Sequence, residues 1–276
     1  AGLFPESDSS ELWLADKGEF RLHAVNTSQL SGLTLVRSAV FADVGGDADQ
    51  DLIVVSDWGG ISLFVNESGR LVDRSSEFGL KNFSGWWNGV TVGDFNEDGR
   101  IDFVASNWGE NHPAGRLSKD FEGDEIGDGG VTLFYGDFDQ DGQIDLVEGY
   151  QVDAEGGFFP VRQFADLAQE LSFIPSRFAS LRDYNRANLE TILGEGMQHA
   201  SRRDVSWFSH CAFINRGDHF EALVLPPAAQ FSPGFGIAVG DVDLDGHEDL
   251  FLAQNFFPVQ PYATRLDAGR GLWLKG

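Results

Sequence analysis

Asp241-Val-Asp-Leu-Asp-Gly-His-Glu-Asp-Leu250 sets a carboxylate at every second position up to a glycine, then returns to one three residues later. That alternation lets a tightly turned backbone aim Asp241, Asp243 and Asp245 at one point. Gly246 permits the turn and Asp249 closes the cage from the following segment. A cage of hard oxygen donors points to Ca2+ rather than zinc. An EF-hand needs a helix on each side of such a loop and a Glu at its twelfth position. Here the flanks, Phe235-Gly-Ile-Ala-Val-Gly240 and Asp249-Leu-Phe-Leu-Ala253, read as short apolar strands, so the loop belongs to a β-hairpin.

The stretch recurs as Asp137-Phe-Asp-Gln-Asp-Gly-Gln-Ile-Asp-Leu146, Asp94-Phe-Asn-Glu-Asp-Gly-Arg-Ile-Asp-Phe103 and Asp43-Val-Gly-Gly-Asp-Ala-Asp-Gln-Asp-Leu52. Merely Asp/Gly-rich surface turns are the alternative, and the shared register of the flanking strands argues against them. The first copy is degraded. Gly45 replaces the third-position carboxylate and Ala48 the turn glycine, with Asp49 near enough to compensate, so its site is expected to be the weakest. The candidate ligands are Asp43, Asp47, Asp49 and Asp51 in the first loop, and Asp94, Asn96, Asp98, Arg100 and Asp102 in the second. The third offers Asp137, Asp139, Asp141, Gln143 and Asp145, and the fourth Asp241, Asp243, Asp245, His247 and Asp249, for up to four Ca2+ ions.

Four antiparallel strands for each loop, at a spacing near 40–50 residues, describe an all-β array of the propeller type, each repeat forming one blade. Loop starts at 43, 94, 137 and 241 leave a last interval of double length. Residues 163–196 explain it. Phe164, Leu167, Ala168 and Leu171 keep helical spacing, Pro175 breaks the run, and Leu189, Ile192 and Leu193 form a second apolar stripe stopped by Gly194. The expected organisation is one domain over 1–276. It comprises an N-terminal half-blade at 1–34 with an arm and a hairpin, repeats at 35–85, 86–130 and 131–233, and an incomplete repeat at 234–276. The third repeat carries the helical insertion 163–196 and resumes at Cys211–Asn215 and His219–Leu225.

The 34 Gly and 24 Phe among 276 residues suit strands and turns, and the net charge of −25 excludes a nucleic-acid partner, since nothing here neutralises a phosphate backbone. The single cysteine, Cys211, excludes an intramolecular disulfide framework, which leaves calcium as the staple. No apolar run approaches the length of a membrane span, and no signal peptide is visible. Cytosolic calcium is too scarce for ordinary loops of this kind, so a secreted or cell-surface location is expected. Sequons at Asn26, Asn66 and Asn82 accord with it but carry little weight. The chain opens at Ala1 without a methionine, the expectation for a processed or excised piece.

These loops resemble the FG-GAP/VCBS-repeat propellers, a type that includes the head of integrin α chains. Asp57-Trp-Gly-Gly60, Gly85-Trp-Trp-Asn-Gly89, Ser106-Asn-Trp-Gly109, Leu133-Phe-Tyr-Gly-Asp137 and the stretch from Gly246 to Phe257 are similar to the subgroup accompanying ASPIC/UnbV domains, cartilage acidic protein-like. The resemblance implies an extracellular calcium-stabilised propeller used in adhesion or binding. The chain departs from it in showing four loops where seven blades are usual, and in lacking the ASPIC/UnbV domain.

A non-catalytic calcium-binding protein acting in adhesion, protein binding or self-assembly is therefore expected. A nucleophile with its base is not evident: His210 and Cys211 are adjacent on a strand and point to opposite faces, and His23, His112, His199, His219 and His247 lack ligand spacing. A hydrolase with an unidentified site is the third alternative. The second is a carbohydrate-binding module using Trp58, Trp86, Trp87 and Trp108, although aromatics also recur at blade-to-blade contacts. Gly271–Gly276 is similar to Ser10–Leu14, so the N-terminal hairpin is expected either to complete the last repeat or to dock head to tail on another copy.

Overall fold

The computed structural model describes residues 9–112, 130–151, 157–257 and 265–276; residues 1–8 of the expected arm and 113–129 of the second repeat lie outside them. The fold is mostly β, in several antiparallel sheets. It opens with a hairpin, β1 (Trp13–Asp16) and β2 (Glu19–Leu22), whose turn residues Lys17 and Gly18 both take positive φ, as a two-residue turn matching the strand twist requires. Among the described residues the hairpin pairs only with itself and joins no larger sheet, so there the expected half-blade is a two-stranded ribbon. A helix at Ala24–Gln29 follows, which the sequence pattern did not reveal.

The first sheet is a meander of β3 (Val36–Ala42), β4 (Asp51–Ser56), β5 (Ile61–Glu67) and β6 (Arg70–Asp73). Next come β7 (Gly89–Gly93) and β8 (Asp102–Ser106), then a long excursion containing β9 (Val131–Gly136), β10 (Asp145–Gln151), β11 (Phe158–Pro160) and β12 (Ser201–Val205). After it lie β13 (Cys211–Asn215), β14 (Phe220–Val224), β15 (Gly234–Gly240), β16 (Asp249–Gln254) and β17 (Leu272–Leu274).

Strand pairing corrects the expected third repeat. β13 does not resume it: Cys211 pairs with Ala105 and Phe213 with Phe103, so β13 and β14 complete the second sheet beside β7 and β8. The third loop's own sheet is instead β11-β10-β9-β12, an insertion between two adjacent strands of the second sheet. Accordingly the chain divides into two compact units rather than forming one domain. Among the described residues they are 130–206, and 9–112 with 207–276.

In the larger unit the strands after each loop follow one rule of alternation. One and three places after the closing aspartate, side chains face the preceding sheet; two and four places after it, they face the next. Ile53 and Val55, after Asp51, share a core with Phe103 and Ala105, after Asp102. Phe103 also stacks on Phe213 with centroids 4.6 Å apart. On its other face Val104 joins Leu250 and Leu252 of the last sheet, β15-β16-β17. Each such fully buried side chain contributes about 1.5–3 kcal/mol.

In the smaller unit helical turns cover the equivalent face. Val147, two places after Asp145, packs with Leu167, Leu171, Ile174, Leu189 and Ile192. The segment is broken into short pieces, Phe164–Glu170, Ile174–Arg177, Leu181–Tyr184 and Leu189–Leu193, within the expected 163–196. Pro175 stands in the first turn of its piece, where it costs no hydrogen bond. Ser180 and Asn188 cap the next two by accepting from the amides of Asp183 and Thr191, and Gly194 ends the run at φ 61°.

Candidate metal centre

All four acidic loops join the first two strands of their sheets, and they share one backbone. The fourth and sixth positions are left-handed in each: Gly46 and Ala48, Glu97 and Gly99, Gln140 and Gly142, Leu244 and Gly246. The first-position carboxylate holds this turn by accepting two amides. Asp43 takes those of Asp47 and Ala48, Asp94 those of Asp98 and Gly99, Asp137 those of Asp141 and Gly142, and Asp241 those of Asp245 and Gly246, all at 2.9–3.1 Å. The closing aspartate accepts the second-position amide: Asp51 from Val44, Asp102 from Phe95, Asp145 from Phe138 and Asp249 from Val242.

Three closing aspartates also reach a third segment, a strand for Asp51 and Asp102 and the residues just after β17 for Asp249. The second oxygens of Asp51, Asp102 and Asp249 accept the amides of Asn66, Asn215 and Gly276. β11 pairs with β10 only at Gly149–Gln151, beyond the reach of Asp145.

The loops differ in what they bring together. Asp137, Asp139 and Asp145 each place an oxygen within 4.8 Å of the others, and so do Asp241, Asp243 and Asp249. Oxygens so spaced fit around a single hard cation bound at 2.3–2.6 Å. The first loop lacks such a triad because Gly45 stands third, and the second because Asn96 does. Asp49 donates its amide to Asp47 at 3.0 Å.

The fifth-position carboxylates are turned to other partners. Asp141 accepts the amide of Gln143 at 2.8 Å and its side chain at 3.0 Å. Asp98 accepts the amide of Arg100 at 3.0 Å and its guanidinium at 2.5 Å. Asp245 meets the ammonium of Lys275 at 2.6 Å, and the same ammonium lies 2.5 Å from Asp243. Lys275 thus stands on two carboxylates of the fourth loop as a tethered cation, which no spacing in the sequence foretold. The seventh-position side chains are committed elsewhere too: Arg100 also reaches the Asn215 carbonyl at 2.9 Å, and His247 bonds Glu97 of the second loop. Arg100 can offer a cation only its main-chain carbonyl, since its guanidinium has no acceptor, and His247 likewise while its ring is held by Glu97; Gln143 has its main-chain carbonyl and its amide oxygen.

Electrostatics follow this geometry. Burial, with the negative charges of Asp139 and Asp141 beside it, raises the carboxyl of Asp145 above its ordinary range. Burial likewise raises Asp102, outweighing the amides of Asn215 and Phe95, with Asp98 and Asp94 adding to the rise. Lys275, aided by the amide of His247, lowers Asp245. The second and fourth loops are also tied together, because Glu248 accepts the amide of Asp94 at 2.7 Å.

Residues 43–105, the first two acidic loops with the strands between them, match the family model described as FG-GAP-like repeat. The chain carries an FG-GAP-like repeat. The match names the repeat and not the ASPIC/UnbV-associated subgroup, and no curated protein matches the chain. The turn geometry that the four loops share is kept in the first loop despite Gly45 and Ala48, since Ala48 adopts φ 71°.

The other candidate groups have structural partners. Trp87 is fully buried and donates to the Phe83 carbonyl; Trp58 and Trp86 are also buried, packed edge to face, and Trp108 is half-buried against Trp86. Cys211 is buried, accepts from the Trp207 indole, and its thiol is pushed up to about 12 by burial. His210 accepts the Asn107 amide on Nδ1, which leaves Nε2 to donate to the Ser232 carbonyl. Asn26 of the first sequon is buried and bonded to Gly69 and Leu71.

Proposed function

We propose that this is a non-catalytic, extracellular binding or adhesion protein in which Ca2+ holds the acidic loops, and that its sheets are successive blades of a propeller-type array. The observation that carries this reading is the convergence of three carboxylates in the third and fourth loops on a backbone turn shared by all four. Asp137, Asp139 and Asp145 would hold one ion, and Asp241, Asp243 and Asp249 another. The second loop supplies Asp94, Asn96 and Asp102, and the first only Asp43, Asp47 and Asp51 with Asp49 nearby. Bound Ca2+ supplies the positive charge that lets these carboxylates sit together ionised.

A partner that is itself protein or glycan would be recognised by surfaces that the ions keep in shape. FG-GAP repeats occur in adhesion and binding proteins, which supports this class. The carbohydrate-module reading is not adopted, because Trp58, Trp86 and Trp87 are buried, so that of the four tryptophans on which that reading rests only Trp108 is partly open to a sugar ring. A hydrolase is not adopted either, since His210 and Cys211 are committed to the bonds just described. Among the described residues no helix is long and apolar enough to cross a membrane. Calorimetric titration with Ca2+ tests the proposal: saturable binding at two or more sites supports it, and no heat at millimolar Ca2+ ends it.

A further inference from the structure

The eighth position of the acidic loops sets the fourth apart. It is Gln50 in the first loop, Ile101 in the second and Ile144 in the third, but Glu248 in the fourth. By the alternation of the strands, a side chain one place before the closing aspartate faces the preceding sheet. Ile101 accordingly packs against the core shared by the first and second sheets. Glu248 holds the same place in the last sheet, so it is turned towards the second.

Its carboxylate reaches the second loop, where Oε2 accepts the amide of Asp94 at 2.7 Å. A Cβ at Gly93 would collide with that oxygen, so the glycine just ahead of the loop is what admits it. Asp94 is the residue on which the second loop turns, since its own carboxylate accepts the amides of Asp98 and Gly99. It is also the first candidate ligand of that loop. A second tie runs beside the first, from His247 to Glu97.

Within the fourth loop, candidate ligands stand on both sides of Glu248. Asp249 belongs to the convergent triad with Asp241 and Asp243, and His247 offers its carbonyl at the seventh position. Glu248 itself is half-buried and takes no part in the triad. An ion in this loop therefore fixes both neighbours of a side chain that grips the next loop.

We propose that Glu248 couples the two loops, so that Ca2+ in the fourth holds the turn at Asp94 in place and raises the affinity of the second for its own ion. This coupling rests on the reading of both loops as Ca2+ sites and adds that the two act together. Glu248 is a positioning residue, acting through Asp94 without touching either ion. The effect is reciprocal, so an ion in the second loop tightens the fourth by the same factor. The third loop, in the other compact unit and with Ile144 at its eighth position, has no such carboxylate and is the uncoupled control.

The test follows the amide signals of Gly99, Gly142 and Gly246, one in each of three loops, by NMR while Ca2+ is added to the full chain. Asp243→Ala disables the fourth loop and is expected to raise the Ca2+ midpoint at Gly99 about tenfold, as coupled sites typically show, with the midpoint at Gly142 unchanged. In Glu248→Ala the midpoint at Gly99 should already be raised, and adding Asp243→Ala should change it little further. Glu248→Gln keeps an acceptor for the Asp94 amide and removes the charge, so the factor produced by Asp243→Ala should survive in it. That separates positioning from simple attraction between Glu248 and the ion. In the reverse direction Asp98→Ala should raise the midpoint at Gly246 by the same factor. All of these positions are exposed or half-buried, and a dispersed amide spectrum verifies that each variant folds. A midpoint at Gly99 indifferent to Asp243→Ala overturns the coupling while leaving Ca2+ binding in place, as does a factor undiminished in Glu248→Ala, or a Gly99 signal that never responds while Gly246 does. No Ca2+-dependent shift at any of the three glycines overturns the Ca2+ reading itself, and the coupling with it.

Discussion

Ala48 occupies a left-handed position that glycine fills in the other three loops, at φ 71° against 81°, 87° and 95°. A Cβ there costs about 1–2 kcal/mol, so Ala48→Gly is expected to stabilise the chain by about 1 kcal/mol after the greater freedom of glycine in the unfolded state is subtracted. A urea midpoint that fails to rise would show that the first loop has relaxed around its alanine. A second single-residue effect concerns acid. Burial depresses His210 to about 4, and His112 also to about 4, below the ordinary value of 6.5. The folded state therefore prefers the neutral rings. The stability this contributes is complete above pH 6.5 and drains away as pH falls from 6.5 towards 4, by about 3 kcal/mol at most for His210. The raised carboxyls of Asp102 and Asp145 act in the opposite sense at the acid end. Unfolding free energies measured at intervals across that window should fall with pH in the wild type. The fall should be shallower in His210→Gln, whose side chain does not titrate.

At the scale of the element, the loop is a hairpin turn whose closing aspartate pins the sheet behind it. Asp102 is fully buried and takes the amides of Phe95 and Asn215 from two different strands. Asp102→Ala strands both donors and is expected to cost about 2–4 kcal/mol even in the presence of chelator, which a denaturant titration in EDTA measures. Affinity for the cation should follow a different ranking. Asp139→Ala and Asp243→Ala each remove a member of a convergent triad, whereas Asp47→Ala acts where no triad exists, so calorimetry should show a larger loss from the first two. Lys275→Met frees Asp243 and Asp245 of their tethered competitor and should tighten the fourth site. The register of these loops was legible in the sequence because period-two carboxylates and a glycine fix a turn by local chemistry. The helical stretch was legible for the same reason, since Leu167, Leu171, Leu189 and Ile192 keep a helical stripe. The pairing of β13 with β8 was not. Cys211 meets Ala105 across the whole inserted unit, and nothing local in either strand distinguishes that partner from β10. Lys275 was hidden likewise, because its approach to the loop depends on β17 pairing with β16.

At the scale of the whole molecule the governing quantity is charge. A net −25 on 276 residues includes the carboxylates of four loops, crowded most closely in the third and fourth, where oxygens of three aspartates lie within 4.8 Å. Proteins with such a balance are held together against their own repulsion, and the repulsion is greatest where desolvation is also present, as at Asp145. Four Ca2+ ions would reduce the net charge to about −17 and would do so at the points of closest approach. A ligand bound by the folded state alone stabilises it by about 2.7 kcal/mol per site at a hundredfold excess over its dissociation constant. Two filled triads are therefore worth roughly 5 kcal/mol, a large part of the 5–15 kcal/mol typical of a folded chain. Removing the ions with EDTA should lower the melting temperature by several degrees or more. Raising sodium chloride in the chelated protein should recover part of the loss, because screening weakens the same repulsion that Ca2+ neutralises. Restoring Ca2+ should recover all of it, and Mg2+ less, since it demands a tighter octahedral shell than carboxylates spread over a hairpin provide. A melt that is the same with chelator and with Ca2+ would mean that the loops hold themselves through the amide bonds to Asp43, Asp94, Asp137 and Asp241 alone, and that the ions are not part of the fold.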